Sequence, residues 1–485
     1  MITLRRRLVS VWSGLGPRWL PFADVATPDL SLGRLLRLSL FQVSVGMTLV
    51  LLVGTLNRVM IVELGVAASV VAVMVALPVV AAPFRALVGH RSDTHRCALG
   101  WRRTPFVWKA TQLQFGGYAI MPFAILVLAG AGQSADAPAW LGLGAAALAF
   151  LLVGAGAHVL QTAGLALATD LTPQESHPRV VGLMYVTLLV GMIGSALVFG
   201  AALEDFTPGR LVQVIQGAAV ACIVLNGIAF WKQEPRDPRR ARERAPDPSF
   251  AESWARFGAG GRAMRRLVVV GVGTMAFGMS DVLLEPYGGE VLDWSVAATT
   301  KLTALLALGG LAGFATASWA LGRGGDPYRL ALVAALVGVP AFGLVILAAP
   351  TGLAASFLAG NVLIGFGAAL FGHATLTATM NLAPPGQAGL ALGAWGAVQA
   401  TAAGVALALA GVIRDAVTLA AGALEAAGPF GGAAAGYVAV YALEILLLVV
   451  TIAAVLPLAR RALRRNVPEN GDVREPPSAP SRSAS

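Results

Sequence analysis

Apolar residues come along this chain in long unbroken runs, without the short-period alternation that marks a half-buried helix or strand. The runs lie near 38–58, 65–88, 105–129, 139–169, 180–203 and 211–231, and again near 267–287, 297–320, 328–349, 353–380, 386–413 and 434–457. Crossing a hydrocarbon layer takes roughly 20 apolar residues, and every run reaches that length. The pattern predicts an all-α membrane protein of twelve transmembrane helices. One further stretch, near 416–427, is too short to cross and is expected to rest on the outer interface.

Charge gives the runs a direction. Of the 35 Lys and Arg, only Arg58, Arg210, Lys301 and Arg414 fall on one side of the alternating spans, and the rest fall on the side of the termini. Basic connectors stay cytoplasmic, so both termini are expected on the cytoplasmic side of the membrane. The organisation that follows is a cytoplasmic segment 1–37, a six-helix bundle 38–231, a linker 232–266, a second bundle 267–457 and a disordered tail 458–485. Within the linker, Ser249 and Glu252 form a capping-box pattern. Phe250, Trp254 and Phe257 follow at helical spacing, so a short helix on the membrane surface is expected there.

The two groups of six runs repeat one another. Gly89-His-Arg-Ser-Asp93 follows the second run, and Gly322-Arg-Gly-Gly-Asp326 follows the eighth. Ala168-Thr-Asp170-Leu-Thr-Pro173 follows the fourth, and Thr379-Met-Asn381-Leu-Ala-Pro384 the tenth. Each of the latter leads into a Gly-Leu pair, at Gly182 and Gly389. Three short matches in the same order at equivalent places indicate an internal duplication.

Composition agrees with a lipid solvent. The chain is 57% hydrophobic and only 12% charged, against about 25% charged in an ordinary soluble domain, and its 57 glycines suit close helix contacts in a membrane. The net charge of +10 sits in connectors and at the ends, which argues for anionic lipid headgroups and against nucleic acid. Cys97 and Cys222 do not look like halves of a disulfide. There is no nucleophile elbow, P-loop, zinc-spaced histidine pair or dinucleotide motif, so an enzyme is not expected.

The arrangement resembles the major facilitator superfamily, whose connector between spans 2 and 3 carries a glycine, an aspartate four residues on, and then basic residues. Here those are Gly89, Asp93, Arg96, Arg102 and Arg103, with Asp170 and Arg179 across the next cytoplasmic connector as candidates for the same charge cluster. The stretch from Asp93 to Arg102 is longer than the usual transporter version.

Several blocks resemble the PucC/LhaA family of photosynthetic bacteria: LGRLLRLSLFQVSVGMTLVLLVGTLNRVMIVELGV at 32–66, APFRALVGHRSDTHRCALGWRRTPFVWK at 82–109, GLALATDLTPQESHPRVVGLMYV at 164–186 and SDVLLEPYGGEVL at 280–292. The resemblance covers nearly the whole chain outside the tail. It implies an assembly factor for light-harvesting complexes, with the core ring (LH1) slightly favoured over the peripheral complex (LH2). It also implies bacteriochlorophyll bound or transferred, antenna polypeptides as partners, and contact with bacteriochlorophyll biosynthesis enzymes and the reaction centre. A secondary transporter of a tetrapyrrole or other small molecule is the alternative.

Intramembrane polar residues are functional candidates by default. His158 and His373 lie in runs 4 and 10, about 18 and 12 Å into the layer at 1.5 Å per residue. They are candidate magnesium ligands for a pigment, with Gln161 nearby; a hydrogen bond across a helix contact is the ordinary alternative. Gln112 and Gln114 read as helix–helix donors; Trp101, Trp108 and Tyr118 read either as rings that stack on a pigment or, as is commoner near a span end, as interfacial anchors. Asp281 and Glu285, spaced i, i+4 in run 7, are expected on one helix face, with Pro286, Tyr287, Gly288 and Gly289 breaking the helix after them. They read either as a site for a proton, cation or pigment magnesium, or as a salt bridge near the outer surface with Lys301 or Arg58. Asn57, Arg58 and Glu63 flank an outer turn, where the charges are expected to snorkel to the interface or to dock an antenna polypeptide.

Overall fold

The structure, a computed structural model, describes residues 31–80, 100–134, 136–172, 177–235, 262–380, 388–423 and 430–465, together with 88, 92, 95 and 428. Among the described residues there are only helices and connectors. They form α1 (Leu32–Glu63), α2 (Ala68–Val80), α3 (Thr104–Leu128), α4 (Ala139–Asp170), α5 (His177–Ala202), α6 (Pro208–Phe230), α7 (Arg262–Glu290), α8 (Val296–Gly322), α9 (Pro327–Thr351), α10 (Ala354–Met380), α11 (Ala388–Ala423) and α12 (Ala433–Arg465). Eleven are long and apolar enough to cross a membrane; the exception is α2, whose described part is short.

Local chemistry starts several of these helices. Ser31, Thr207, Ser295 and Asp326 each accept a hydrogen bond from the backbone N–H three residues on, capping α1, α6, α8 and α9. Pro208 and Pro327 then occupy the first turn, where no intrahelical donor is needed. α9 ends on Gly352, left-handed at φ 64°, a conformation open to glycine without a Cβ penalty.

Packing displays the duplication. In the first half α1 packs on α4, α5 and α6, α2 on α4, and α3 on α4 and α6. Six helices later each pairing recurs: α7 on α10, α11 and α12, α8 on α10, and α9 on α10 and α12. Two long seams join the halves, α2 against α11 and α5 against α8, and a six-helix shift exchanges them; the outer end of α1 also meets α7 and α8. At the first seam Gly411 lets α11 touch the backbone of α2, since a Cβ there would overlap Ala68 and Ala72.

Three expectations need correcting. α1 does not stop near Arg58. It continues to Glu63 through two stretches of wide π-type turns, Val50–Leu56 and Val59–Glu63. Residues 416–423 are the last turns of α11 and not a separate interfacial stretch, because Arg414 and Asp415 keep the helix going by finding partners inside the protein. The break in α7 lies before Pro286, as described below. The linker helix expected around 249–257, the N-terminal segment to residue 30, and the tail beyond 465 lie outside the described residues.

Candidate functional site

α7 is three pieces: helix Arg262–Gly278, a 3-10 turn Ser280–Val282, and helix Leu284–Glu290. Interrupted backbone at membrane depth persists only where protein satisfies its polar groups, and here two other helices do so. The Ser280 N–H donates to Glu444 Oε1 of α12 at 2.8 Å. The Val282 carbonyl accepts from Asn57 Nδ2 of α1 at 2.6 Å. The second helix then starts at Leu284 and places Pro286 in its first turn, where its missing N–H costs nothing.

This break separates the two acids expected to share one face. From Ala276 to Gly289 every residue except Asp281 is buried. Asp281 is exposed, within electrostatic reach of the fully buried Glu444. Glu285 is 4% exposed; its Oε1 accepts from the Thr303 hydroxyl of α8, and its Oε2 is buried without a hydrogen-bond partner. Gly54, in the π-turn stretch of α1, makes room for this carboxylate: a Cβ there would overlap Glu285 Oε1 and Thr303 Oγ1.

Arg58 does not snorkel. It is 3% exposed, pairs with Glu63, and donates from Nη2 to the Trp294 carbonyl at 3.0 Å. Gly289 lies flat against its guanidinium, where a Cβ would stand 3.0 Å from Nε and Nη2. Asn57 is likewise fully buried. Lys301, the other cation proposed for the acids, instead has its stem against Gly200 of α5. Tyr287 anchors the second piece of α7: it is fully buried, donates to the Val345 carbonyl at 3.1 Å, and packs its ring on Phe357, Tyr437 and Tyr441. Gly288 gives it clearance from Thr299.

The sequence reading missed several members of this cluster. Glu290 pairs with Arg414 of α11 and accepts from the Tyr437 hydroxyl at 2.9 Å. Asp415, next to Arg414, accepts from the Ser69 N–H at the start of α2 at 2.6 Å. Glu444 has a second oxygen with no partner. A lone acid inside the run Tyr441-Ala-Leu-Glu444-Ile-Leu-Leu was signal enough to single it out.

At the end of the bundle that carries the termini, Asp170 receives Arg102 at 2.5 Å and Arg103 at 3.0 Å. Glu234, not foreseen, accepts from the N–H groups of Arg102, Arg103 and Thr104, an anion on the N-terminus of α3. Gly89, Asp93 and Arg96 lie outside the described residues, as does the side chain of Arg179.

His158 and Gln161 are half-buried on α4. His373, half-buried on α10, stands edge-on to Phe314 at 4.3 Å, and its Nδ1 is buried without a partner. Tyr118 is not an interfacial anchor: it is buried with its hydroxyl 2.8 Å from Thr48. Gln114 is the helix–helix donor expected, bonded to Thr48 at 3.2 Å and accepting from the free thiol of Cys222 at 3.2 Å. No group of three or more His, Cys, Asp or Glu suited to a metal ion occurs among the described residues.

A family model described as PUCC protein matches residues 55–463. A Protein PucC of Rhodovulum sulfidophilum is 60% identical, over 88% of this chain and 95% of that one. A Protein PucC of Rhodobacter capsulatus is 58% identical, over 92% and 97%. More distantly, a Rhodobacter capsulatus protein called bacteriochlorophyll synthase 44.5 kDa chain is 28% identical over 76% and 85%. Among solved structures, an inward-facing, occupied bacterial homologue of the human lysosomal transporter Spinster superposes with a TM-score of 0.63 at 14% identity, covering 90% of this chain and 98% of that one. The nucleoside transporter NupG gives 0.60 at 11% identity, over 87% and 99%. These two likenesses establish the major facilitator fold.

Proposed function

Since this chain belongs to the PUCC protein family, we propose that it is an assembly factor for bacterial light-harvesting antennae that binds or delivers bacteriochlorophyll, antenna polypeptides or both inside the membrane. The observation that carries this reading is near-full-length identity of 60% and 58% to proteins named PucC. A relative whose name places it with bacteriochlorophyll synthesis supports the pigment arm. The cations around α7 support a static role: Arg58 is committed to Glu63 and Trp294, and Arg414 to Glu290 and Asp415. The near-infrared absorption of a strain lacking the protein tests the proposal. Loss of an antenna band, restored by the intact gene, is expected. Unchanged bands would refute it.

One observation favours a second reading, a transporter of a tetrapyrrole or other small molecule. Asp281 is exposed at a broken helix within electrostatic reach of Glu444, as at the ion and substrate sites of secondary carriers. Ion-driven uptake into liposomes by the isolated protein, with normal antennae in cells lacking it, would select that reading.

A further inference from the structure

Between α3 and α6, at the end carrying the termini, the first half opens into a groove of about 660 Å³, a volume typical of small-molecule sites. Three indoles wall it: Trp101 just before α3, Trp108 in the first turns of α3, and Trp231 at the C-cap of α6. Trp108 and Trp231 are 61% and 67% exposed. Between them lies Asn226, 3% exposed. Its Nδ2 donates to Thr111 Oγ1 at 3.0 Å, and its Oδ1 is left without a hydrogen-bond partner. Beside it Gly227 leaves space: a Cβ there would meet no atom within 4 Å.

We propose that this groove is a lateral binding site for a planar, metal-centred tetrapyrrole macrocycle entering from the lipid phase. The inference rests on the pigment arm of the reading above and gives it a location. Flat indoles at the adjoining ends of two helices suit a flat aromatic ring, and an unpartnered amide oxygen suits a hard metal centre. The lining runs from Thr104 to Thr111 on α3 and from Ile223 to Phe230 on α6, about 11 Å of helix at 1.5 Å per residue. That is far short of the roughly 30 Å an antenna helix would cover, and indoles are the opposite of the small residues a helix contact prefers. A phospholipid phosphate calls for several cations. The lining offers Lys232 alone, next to Glu234, whose carboxylate is taken by the start of α3.

The test uses the full-length protein purified in mild detergent, titrated with bacteriochlorophyll a, and scored by pigment retained through size exclusion. Gly227→Leu fills the groove, and Gly217→Leu, on the same helix where a Cβ also meets nothing within 4 Å, is the control. Gly227→Leu should weaken pigment binding at least tenfold while Gly217→Leu binds as wild type. Trp231→Ala, at an exposed position that packing does not need, should lower binding in the same direction. Equal retention by wild type, Gly227→Leu and Trp231→Ala would overturn the groove while leaving pigment handling intact. A wild-type protein that retains no pigment, in cells whose antennae still depend on it, would remove the pigment arm and the groove with it. Displacement of the pigment by phosphatidylglycerol but not by a neutral lipid would make this a headgroup site and overturn the proposal.

Discussion

Replacing Arg58 by Met keeps most of the volume and removes the charge, which makes it the sharpest probe of the buried cluster. Three partners lose something. The Trp294 carbonyl loses a charged donor at 3.0 Å, a bond worth about 1.5–3 kcal/mol. Glu63 loses its ion pair, but its side chain is 34% exposed and can turn to water, so that share falls to about 1 kcal/mol or less. Glu285, already with one oxygen unpartnered, loses a cation whose charge reaches it. Removing one member of a buried pair typically costs about 3–5 kcal/mol, and the exposure of Glu63 lowers the expectation here to about 2–4 kcal/mol. Unfolding by SDS in mixed micelles, followed by tryptophan fluorescence, measures the difference. Arg210→Met is the control: its pair with Asp205 is long, at 3.9 Å, with side chains 48% and 87% exposed, so no measurable change is expected. If Arg58→Met unfolds within about 0.5 kcal/mol of wild type, as an ordinary surface substitution would, then Arg58 does not tie α1 to α7.

Tyr287→Phe should cost about 0.5–1.5 kcal/mol by deleting the bond to Val345, whereas Tyr287→Ala should cost about 3–5 kcal/mol through the cavity left among Phe357, Tyr437 and Tyr441; similar losses from both in the same SDS titration would contradict this. Glu444→Gln keeps an oxygen for the Ser280 N–H and should leave stability nearly unchanged, while Glu444→Leu strands that buried donor at about 1–3 kcal/mol. In cells, Asp281→Asn with Glu285→Gln should lower antenna absorbance without lowering the amount of protein in the membrane, and an undiminished near-infrared band would speak against a functional role for these acids.

The apolar runs made the spans legible because lipid imposes one demand on every residue it touches, whatever its partners. What failed to show were features set by partners far away in sequence. Arg414 and Asp415 read as the end of a span because two adjacent charges ordinarily meet water. Glu290 lies 124 residues before Arg414, and Ser69 lies 346 before Asp415. Proline and two glycines signalled a break in α7, but its position follows from Glu444 and Asn57 taking over the backbone groups of Ser280 and Val282. Sidedness counting treated Arg58 as a loop residue for the same reason. The acids of α7 were found by their depth, and their separation on the broken helix could not be, since i, i+4 spacing implies a shared face only along continuous helix.

Arg414 and Asp415 stand next to one another on α11, pair with each other, and hold different helices, one α7 in its own half and the other the first turn of α2 across the seam. A helix that creeps along its axis by a single residue rise, about 1.5 Å, moves both side chains together and loosens both holds in the same step. Axial slip of α11 would therefore weaken its holds on α7 and α2 together.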